Sequence, residues 1–516
     1  MANTQLFNTL LAKQPVTDAR NHHGAPAFQL SPKHQLAQLA ITGCLNQTFY
    51  ADARAQLADV LALCAKLDGE YIAKTAVYCR ERGYMKDMPA LLTAVLSSKA
   101  PERLPTVFGR TIDNGKMLRN FVQIMRSGAT GRKSLGTRPK KLVQKWLNEA
   151  TEIQLLQASV GNDPSLADVV KMVHPKPNEA WREAFFAWLL GKPYQAEHLP
   201  PLTRSLLAFR ADTTGDVPAV PFQLLSNENL STAQWADQAR RMSWQTLRMN
   251  LNTLARHGVF SEPGMPQLIA QKLADPAAVA KARVYPYQLL AAYRMAGEDV
   301  PIIVREALQD ALDAALINVP QLEGNVVVCP DVSGSMQSPV TGHRQGSTSK
   351  VRCIDVAALV AAAILRRNVE TRVMPFEVKV VNIALNRRDS VMTNAEKLAK
   401  IGGGGTNCSA PLAQLVQERA KVDTVIMISD NESWVDASRH RSTETMRQWE
   451  LLKRINPQAK LVCIDIQPYG TTQAQERHDI LNVGGFGDSV FDVMAQFAAG
   501  SFGAGHWVDT IEATPL

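Results

Sequence analysis

Very little in this chain ties it to a membrane, an oxidising compartment or a familiar reaction. Its seven cysteines (Cys44, Cys64, Cys79, Cys329, Cys353, Cys408, Cys463) are scattered and odd in number. No C-x-x-C occurs, so neither a disulfide framework nor a zinc site is indicated. They read as buried small hydrophobes in a reducing cytoplasm. No run approaches the roughly 20 apolar residues that a membrane span needs. Met1 to Gln14 lacks the basic-then-apolar order of a secretory signal. Paired carboxylates, a Ser/His/Asp set and a metal-nuclease cluster are missing in any plausible arrangement, so binding rather than catalysis is expected.

Acidic residues are absent from one long stretch. Between Lys116 and Lys145 stand Lys116, Arg119, Arg126, Arg132, Lys133, Arg138, Lys140, Lys141 and Lys145, with no Asp or Glu. Such a stretch builds a local positive field suited to phosphates. The plainer reading is a solvated basic loop and helix face, but the lack of any acid favours nucleic acid. The net charge of +8 and pI of about 9.1 are compatible with that. Gly128-Ala129-Thr130-Gly131-Arg132-Lys133-Ser134 mimics a P-loop only superficially. Two residues separate its glycines where four are needed, Arg132 intrudes, and no strand precedes it.

What is present divides the chain in two. With 516 residues there is room for two or more domains with sizeable cores. Residues 1–30 read as a polar arm or loop, and His22-His23-Gly24 as part of it rather than as a metal site. From Ser31-Pro32, a capped helix start, amphipathic helices follow one another to Leu316. Helices are expected over 56–67, 71–83, from 87, 166–173, 181–190, 202–210, roughly 232–257, 265–274, 286–296 and 300–316. Paired helices without a strict repeat period suggest an irregular, HEAT-like α-solenoid. After 325 the pattern changes. Apolar strands are expected at 325–329, 372–376, 378–384, 424–429 and 460–466. Helices are expected at 351–367, 410–420, 443–455 and 488–498. That alternation predicts a doubly wound parallel sheet. The expected division is thus 1–320 all-α and 321–516 α/β.

The second part carries the sharpest motif. The buried-type strand Asn325 to Pro330 runs into Asp331-Val332-Ser333-Gly334-Ser335-Met336, one carboxylate and two hydroxyls within five residues. Gly402-Gly403-Gly404-Gly405-Thr406-Asn407 adds a glycine loop with a hydroxyl, and Thr424 to Asp430 is a strand ending in a carboxylate. Ligands of open parallel sheets gather outside the carboxyl ends of strands. Asp331 and Asp430 can therefore converge on one ion, and hard cations such as Mg²⁺ take oxygen donors. Two other readings stay open: a metal-free polar turn with Asp331 capping a helix, and a correct fold with an empty site.

This D-x-S-x-S loop, distant Thr and distant Asp resemble the metal-ion-dependent adhesion site of von Willebrand factor A domains. The resemblance implies Ser333, Ser335 and Thr406 as direct ligands, and Asp331 and Asp430 acting largely through water. It also implies an open position for an acidic group of a partner. The whole chain resembles the Ro autoantigen (TROVE-domain) family. The stretches that carry it are Ala76 to Glu81 followed by Pro89-Ala90-Leu91-Leu92; Arg138, Lys140-Lys141-Leu142 and Trp146-Leu147-Asn148; Asp168 to Pro177 with its His-Pro-Lys-Pro ending; and Gly485 to Phe491. That family's Lys/Arg-rich segment before the His-bearing helix is replaced here by the non-basic Gln157 to Asp163.

The resemblance implies a helical toroid, monomeric and without catalysis of its own. It would bind small noncoding, Y-like RNA outside and single-stranded RNA ends in a basic hole, in RNA quality control, maturation or repair. RNA contacts are expected at Arg132, Lys133, Arg138, Lys140, Lys141, Lys145, Lys171, His174 and Lys176, the last three on the outer surface. An exoribonuclease or another acidic protein would dock at the metal site. The competing expectation is a metal-dependent protein-interaction scaffold with no specific RNA ligand. It gives no reason for the acid-free stretch.

Overall fold

The computed structural model describes residues 14–42, 45, 48, 50–284, 286–316, 319, 321–340, 342, 351–435, 442–485, 488–500 and 506–516. Cys44, most of the Met1–Gln14 segment, Pro320 and Phe486-Gly487 lie outside them. The chain forms two compact units. One comprises residues 1–67, 285–291 and 315–514, the other residues 68–284, 292–314 and 515–516.

The helical unit follows the amphipathic pattern. Its helices include Gly69–Glu81, Asp87–Lys99, Gly115–Ser127, Thr137–Glu149, Glu152–Ala158 and Leu166–Val173. Their starts are fixed by side chains that satisfy the first free N–H groups. The Asp68 carboxylate accepts from the Tyr71 N–H at 2.7 Å, and Asn114 Oδ1 from Met117 at 3.0 Å. Thr151 with Gln154, and Ser165 with Asp168, form capping boxes. The helical stretch expected over 232–257 is three short helices, Thr232–Arg241, Trp244–Met249 and Leu251–Arg256. Ser243 breaks it, because its hydroxyl caps the second helix through the Thr246 N–H. No helix among the described residues is long and apolar enough to cross a membrane.

The other unit is built on a five-stranded parallel sheet in the order β4-β3-β5-β6-β8. Its strands are β3 Val326–Pro330, β4 Thr371–Val373, β5 Thr424–Ser429, β6 Lys460–Asp465 and β8 Ile480–Gly484. All residues of β3 and β5 are buried, as continuous β-branched runs require when both faces are covered. Helices Cys353–Arg367, Val391–Ala399, Ala410–Gln417, Glu444–Ile455 and Asp488–Ala498 accompany the sheet. The described cysteines Cys64, Cys79, Cys329, Cys353, Cys408 and Cys463 are all buried.

Three expectations need correcting. The stretch 378–384 is not a strand. Pro375 has no N–H to give a ladder, and the chain turns back, Glu377 N–H donating to Lys379 O at 3.0 Å. Residues 381, 383 and 385 are half-buried and 382 and 384 exposed, so the period of two survives without a ladder. The fifth strand is instead β8, which sequence reasoning passed over.

The arm is the second correction. Residues 19–29 form a hairpin of β1 Ala19–Arg20 and β2 Pro26–Gln29, and β2 pairs antiparallel with β7 Thr471–Thr472. The third is the division at residue 320. The first 67 residues belong with the sheet unit, because Phe28, 3% exposed, sits in one apolar cluster with Val327, Cys329, Trp449 and Ile480. Helix Pro32–Thr42 lies on the end of β8, where side chains are lacking: a Cβ on Gly484 would meet the Gln38 backbone at 3.2 Å.

Candidate functional site

Three loops meet at the carboxyl ends of β3 and β5, and backbone hydrogen bonds knit them together. Asp331 N–H donates to Ile428 O at 2.9 Å, placing its carboxylate between the two strand ends. The glycine loop is laced to the Asp331–Met336 loop from both sides: Gly334 N–H donates to Gly404 O, and Gly403 N–H to Val332 O, each at 3.0 Å. Trp434 and Val435 donate their N–H groups to Thr406 O at 3.1 and 3.2 Å, tying in the chain after β5. The glycines are steric necessities here. A Cβ on Gly405 would lie 2.6 Å from both Trp434 and Val435, and Gly404 holds φ +75° against Glu377.

The structure brings together four of the five predicted oxygen donors, Asp331, Ser333, Ser335 and Asp430, and sets Thr406 in the glycine loop laced to them. Asp331 and Ser333 are fully buried, and Ser335, Thr406 and Asp430 nearly so. The Ser333 and Ser335 hydroxyls stand 3.4 Å apart. Asp331 Oδ1 accepts the Ser333 N–H at 2.8 Å, and its Oδ2 accepts the Ser429 hydroxyl at 2.5 Å. Asp430 Oδ1 accepts the Glu432 N–H at 3.3 Å, and Ser335 lies close enough to the carboxylate to pull it down. Burial, then the charge of Asp430, push the Asp331 carboxyl up to about 7, against the lowering pull of Ser333 and Ser429. Burial raises Asp430 as well. Two buried carboxylates bearing on one another, with hydroxyl oxygens facing them, form a donor set that a hard divalent cation would neutralise.

Sequence reasoning missed a second set of residues around these donors. Glu432, two positions after Asp430, is fully buried and raised by burial. It accepts from the His22 N–H at 2.9 Å and faces His22 Nδ1 at 3.3 Å. Asn21 Nδ2 reaches Ser433 O, and His23 Nε2 is 2.8 Å from the Tyr50 hydroxyl. Burial first, then the charges of Asp430, Glu432 and Asp331, raise the Tyr50 phenol, and a hydrogen bond to Ser335 opposes them. No local signal joins Asn21, His22, His23 and Tyr50 to Asp430 and Glu432, because they are some 400 positions away in the chain.

The basic residues lie in the helical unit. Helix Thr137–Glu149 buries Pro139, Val143 and Leu147. Arg138, Lys141 and Lys145, at helical spacing, stand exposed on another face, and Lys140 is half-buried. Lys145 faces Glu149 at 3.7 Å, an exposed pair of little energetic weight. Gln144 Nε2 donates to Val173 O at 2.6 Å and to His174 O at 3.2 Å, and Asn148 Nδ2 to Lys176 O at 3.3 Å. The turn bearing His174 and Lys176 is thereby fastened along this helix. His174 takes a left-handed backbone, φ 51°, to end helix Leu166–Val173, while Lys171, His174 and Lys176 remain exposed. Arg132 and Lys133 are also exposed, in the loop where Gly128 caps the preceding helix; Arg132 Nη1 donates to Ser97 O at 3.1 Å. Arg119 is spent on structure. It is buried and donates to Val160 O at 2.6 Å and Pro164 O at 3.2 Å, which anchors the non-basic 157–163 segment.

Residues 325–498 match the model of the Ro60 vWA domain. The chain is 26% identical to RNA-binding protein RO60 of Deinococcus radiodurans, over 93% of its own length and 95% of the relative's. It is 24% identical to RNA-binding protein RO60 of Caenorhabditis elegans, over 50% of this chain and 42% of that protein. The crystal structure of the Deinococcus radiodurans RO (RSR) protein superposes with a TM-score of 0.63 at 22% identity, covering 92% of this chain and all of that one. Residues 325–498 are therefore similar to the Ro60 vWA domain, and nearly the whole chain is similar to RNA-binding protein RO60 of Deinococcus radiodurans.

Proposed function

We propose that this protein binds RNA on its helical unit and docks an acidic group of a protein partner, through a divalent cation, on its sheet unit. The observation that carries the first half is the fastening of two basic segments into one exposed face. Gln144 and Asn148 hold the His174–Lys176 turn beside the helix that bears Arg138, Lys141 and Lys145. Lys and Arg side chains contact phosphate, and an exposed imidazole can stack on a base or give one hydrogen bond. The RNA-binding relatives favour the same reading. The ligand we expect is a small noncoding RNA of the Y type, together with single-stranded or misfolded RNA ends. The role is then in RNA quality control, maturation or repair, without intrinsic catalysis.

For the second half, Asp331, Ser333, Ser335, Thr406 and Asp430 would hold Mg²⁺. When bound, that cation offers a partner's carboxylate an oxygen-seeking position. With hydroxyls as direct ligands and the two carboxylates acting through water, the ion would keep one position open, which suits docking better than activation of water. A partner carrying an exposed Asp or Glu, such as an exoribonuclease, fits that site.

The test of the RNA half is recovery of RNA from the native protein purified at low salt from its own cells, beside a Lys140→Ala/Lys141→Ala/His174→Ala variant. A discrete small RNA is expected with the native protein and its loss with the variant. In titrations, affinity should fall about 10- to 100-fold and the log K against log salt slope should flatten by roughly 2, for the two lysines removed. No RNA above background would leave the metal-dependent scaffold as the function.

A further inference from the structure

The face of the sheet unit proposed to receive a partner already has an occupant from its own chain. The hairpin joining β1 to β2 turns at Asn21-His22-His23-Gly24. It is set by Asn21, whose O accepts the Gly24 N–H at 2.9 Å and whose Oδ1 accepts the N–H groups of His23 and Ala25 at 3.1 and 3.0 Å. The turn grips the segment after Asp430 residue by residue. Asn21 Nδ2 donates to Ser433 O, the His22 N–H to Glu432 Oε2, and the His23 ring tilts against Trp434 with centroids 5.4 Å apart.

Tyr50 completes the contact. Its ring stacks on His22 at 5.1 Å and meets Tyr469 edge-on at 5.0 Å. Its hydroxyl lies 2.8 Å from His23 Nε2 and close enough to Ser335, one of the five donors, to feel its influence. An aromatic hydroxyl is a neutral oxygen donor, weaker toward a hard cation than a carboxylate. It can fill a position without satisfying it.

We infer that the Asn21–Gly24 turn and Tyr50 form an intramolecular stopper on the docking face, with the Tyr50 hydroxyl as the resident group that an incoming carboxylate must displace. This rests on the metal reading given above. The arrangement accounts for several otherwise unrelated facts. A polar Asn-His-His-Gly turn is held by hydrogen bonds to buried groups, where an ordinary hairpin tip would be solvated. His22 and His23 serve Glu432 and Tyr50 rather than a metal of their own. Trp434 remains 43% exposed at the rim, where a displacing partner would find an aromatic anchor. A stopper seated nine-tenths of the time lowers a competitor's apparent affinity about tenfold. Docking would then be restricted to partners that add contacts beyond the carboxylate.

The experiment uses the full chain with Mn²⁺ as probe and acetate as a minimal carboxylate. Mn²⁺ affinity and the water-proton relaxation of the bound ion are measured for the native protein, Tyr50→Phe, His23→Ala and, as a control, Asp331→Asn. Tyr50→Phe keeps the ring packing and removes only the hydroxyl, so the fold is preserved. The inference expects one further fast-exchanging water on the bound ion in Tyr50→Phe and in His23→Ala. It also expects acetate to displace that water at an about tenfold lower concentration than in the native protein. Unchanged relaxation and acetate affinity in both variants, with Mn²⁺ bound by the native chain and lost in Asp331→Asn, would overturn the stopper and leave the metal site standing. Failure of every protein, Tyr50→Phe included, to bind Mn²⁺ would overturn both.

Discussion

Glu476 shows how much a single buried carboxyl can weigh on this fold. Its Oε1 is buried with no hydrogen-bond partner among the described residues, while Oε2 accepts the Asn482 N–H at 2.9 Å and Nδ2 at 2.7 Å. Burial raises it to about 8, only partly opposed by Asn482. Its folded pKa thus lies above its unfolded one, so the folded state binds the extra proton between the two. The associated stability is fully present below about 4.5 and is lost as pH rises through about 8. Glu476→Gln keeps a side-chain oxygen for Asn482 and removes the ionisation. Thermal melts should find the variant equal to the native protein near pH 5 and more stable at pH 8.5, by about 1–3 kcal/mol. A variant no more stable at pH 8.5 would show that the carboxyl is solvated. The candidate metal donors were legible at this scale because Asp331, Ser333 and Ser335 are neighbours in a loop, and Thr406 and Asp430 follow recognisable elements. Tyr50, His22, His23 and Glu432 were not, since hydroxyl, imidazole and carboxylate in unremarkable surroundings carry no sign of what they will face.

Among the elements, the arm illustrates the difference between pattern and partner. Pro26-Ala27-Phe28-Gln29 is too short to read as a strand, and no neighbouring segment could pair with it except the two residues of β1. Its role follows from Thr471 and Thr472, which supply the other edge, and from Phe28, which enters the apolar cluster beneath. Deleting that ring should cost about 3–5 kcal/mol, the transfer and cavity terms of a fully buried aromatic. Phe28→Ala should therefore lower the unfolding midpoint of the sheet unit in denaturant while leaving the helical unit's transition in place. A single unchanged transition would mean that the arm is dispensable. The strands expected at 325–329, 424–429 and 460–466 were legible because central parallel strands must be continuously apolar. The edge was not. Beyond β4, Glu377 O and Val378 O are taken by Asn407 of the glycine loop, so an alternating sequence that suits a strand is drawn into the site instead.

Across the whole molecule, the two compact units separate the two proposed ligands: basic residues 132–176 lie in one, and the five oxygen donors in the other. Asp331→Ala with Ser333→Ala should abolish the rise in melting temperature that Mg²⁺ gives the native protein. That rise corresponds to about 2.7 kcal/mol at a hundredfold excess over the dissociation constant. RNA affinity should stay within twofold of native, since sites in separate compact units with no shared partners act independently. Equal loss of both would refute the division of labour. By itself the sequence determined the succession of helices and then a parallel sheet, the loop of oxygen donors, and the acid-free basic stretch, because each of these is written in local periodicity, spacing and charge. Tertiary structure alone decided that the first 67 residues join the sheet unit, that β8 rather than 378–384 completes the sheet, that Arg119 is structural, and that Tyr50 packs on His22, His23 and Tyr469. Those are contacts between segments far apart in the chain, made by side chains whose local sequence is compatible with many partners and selects none.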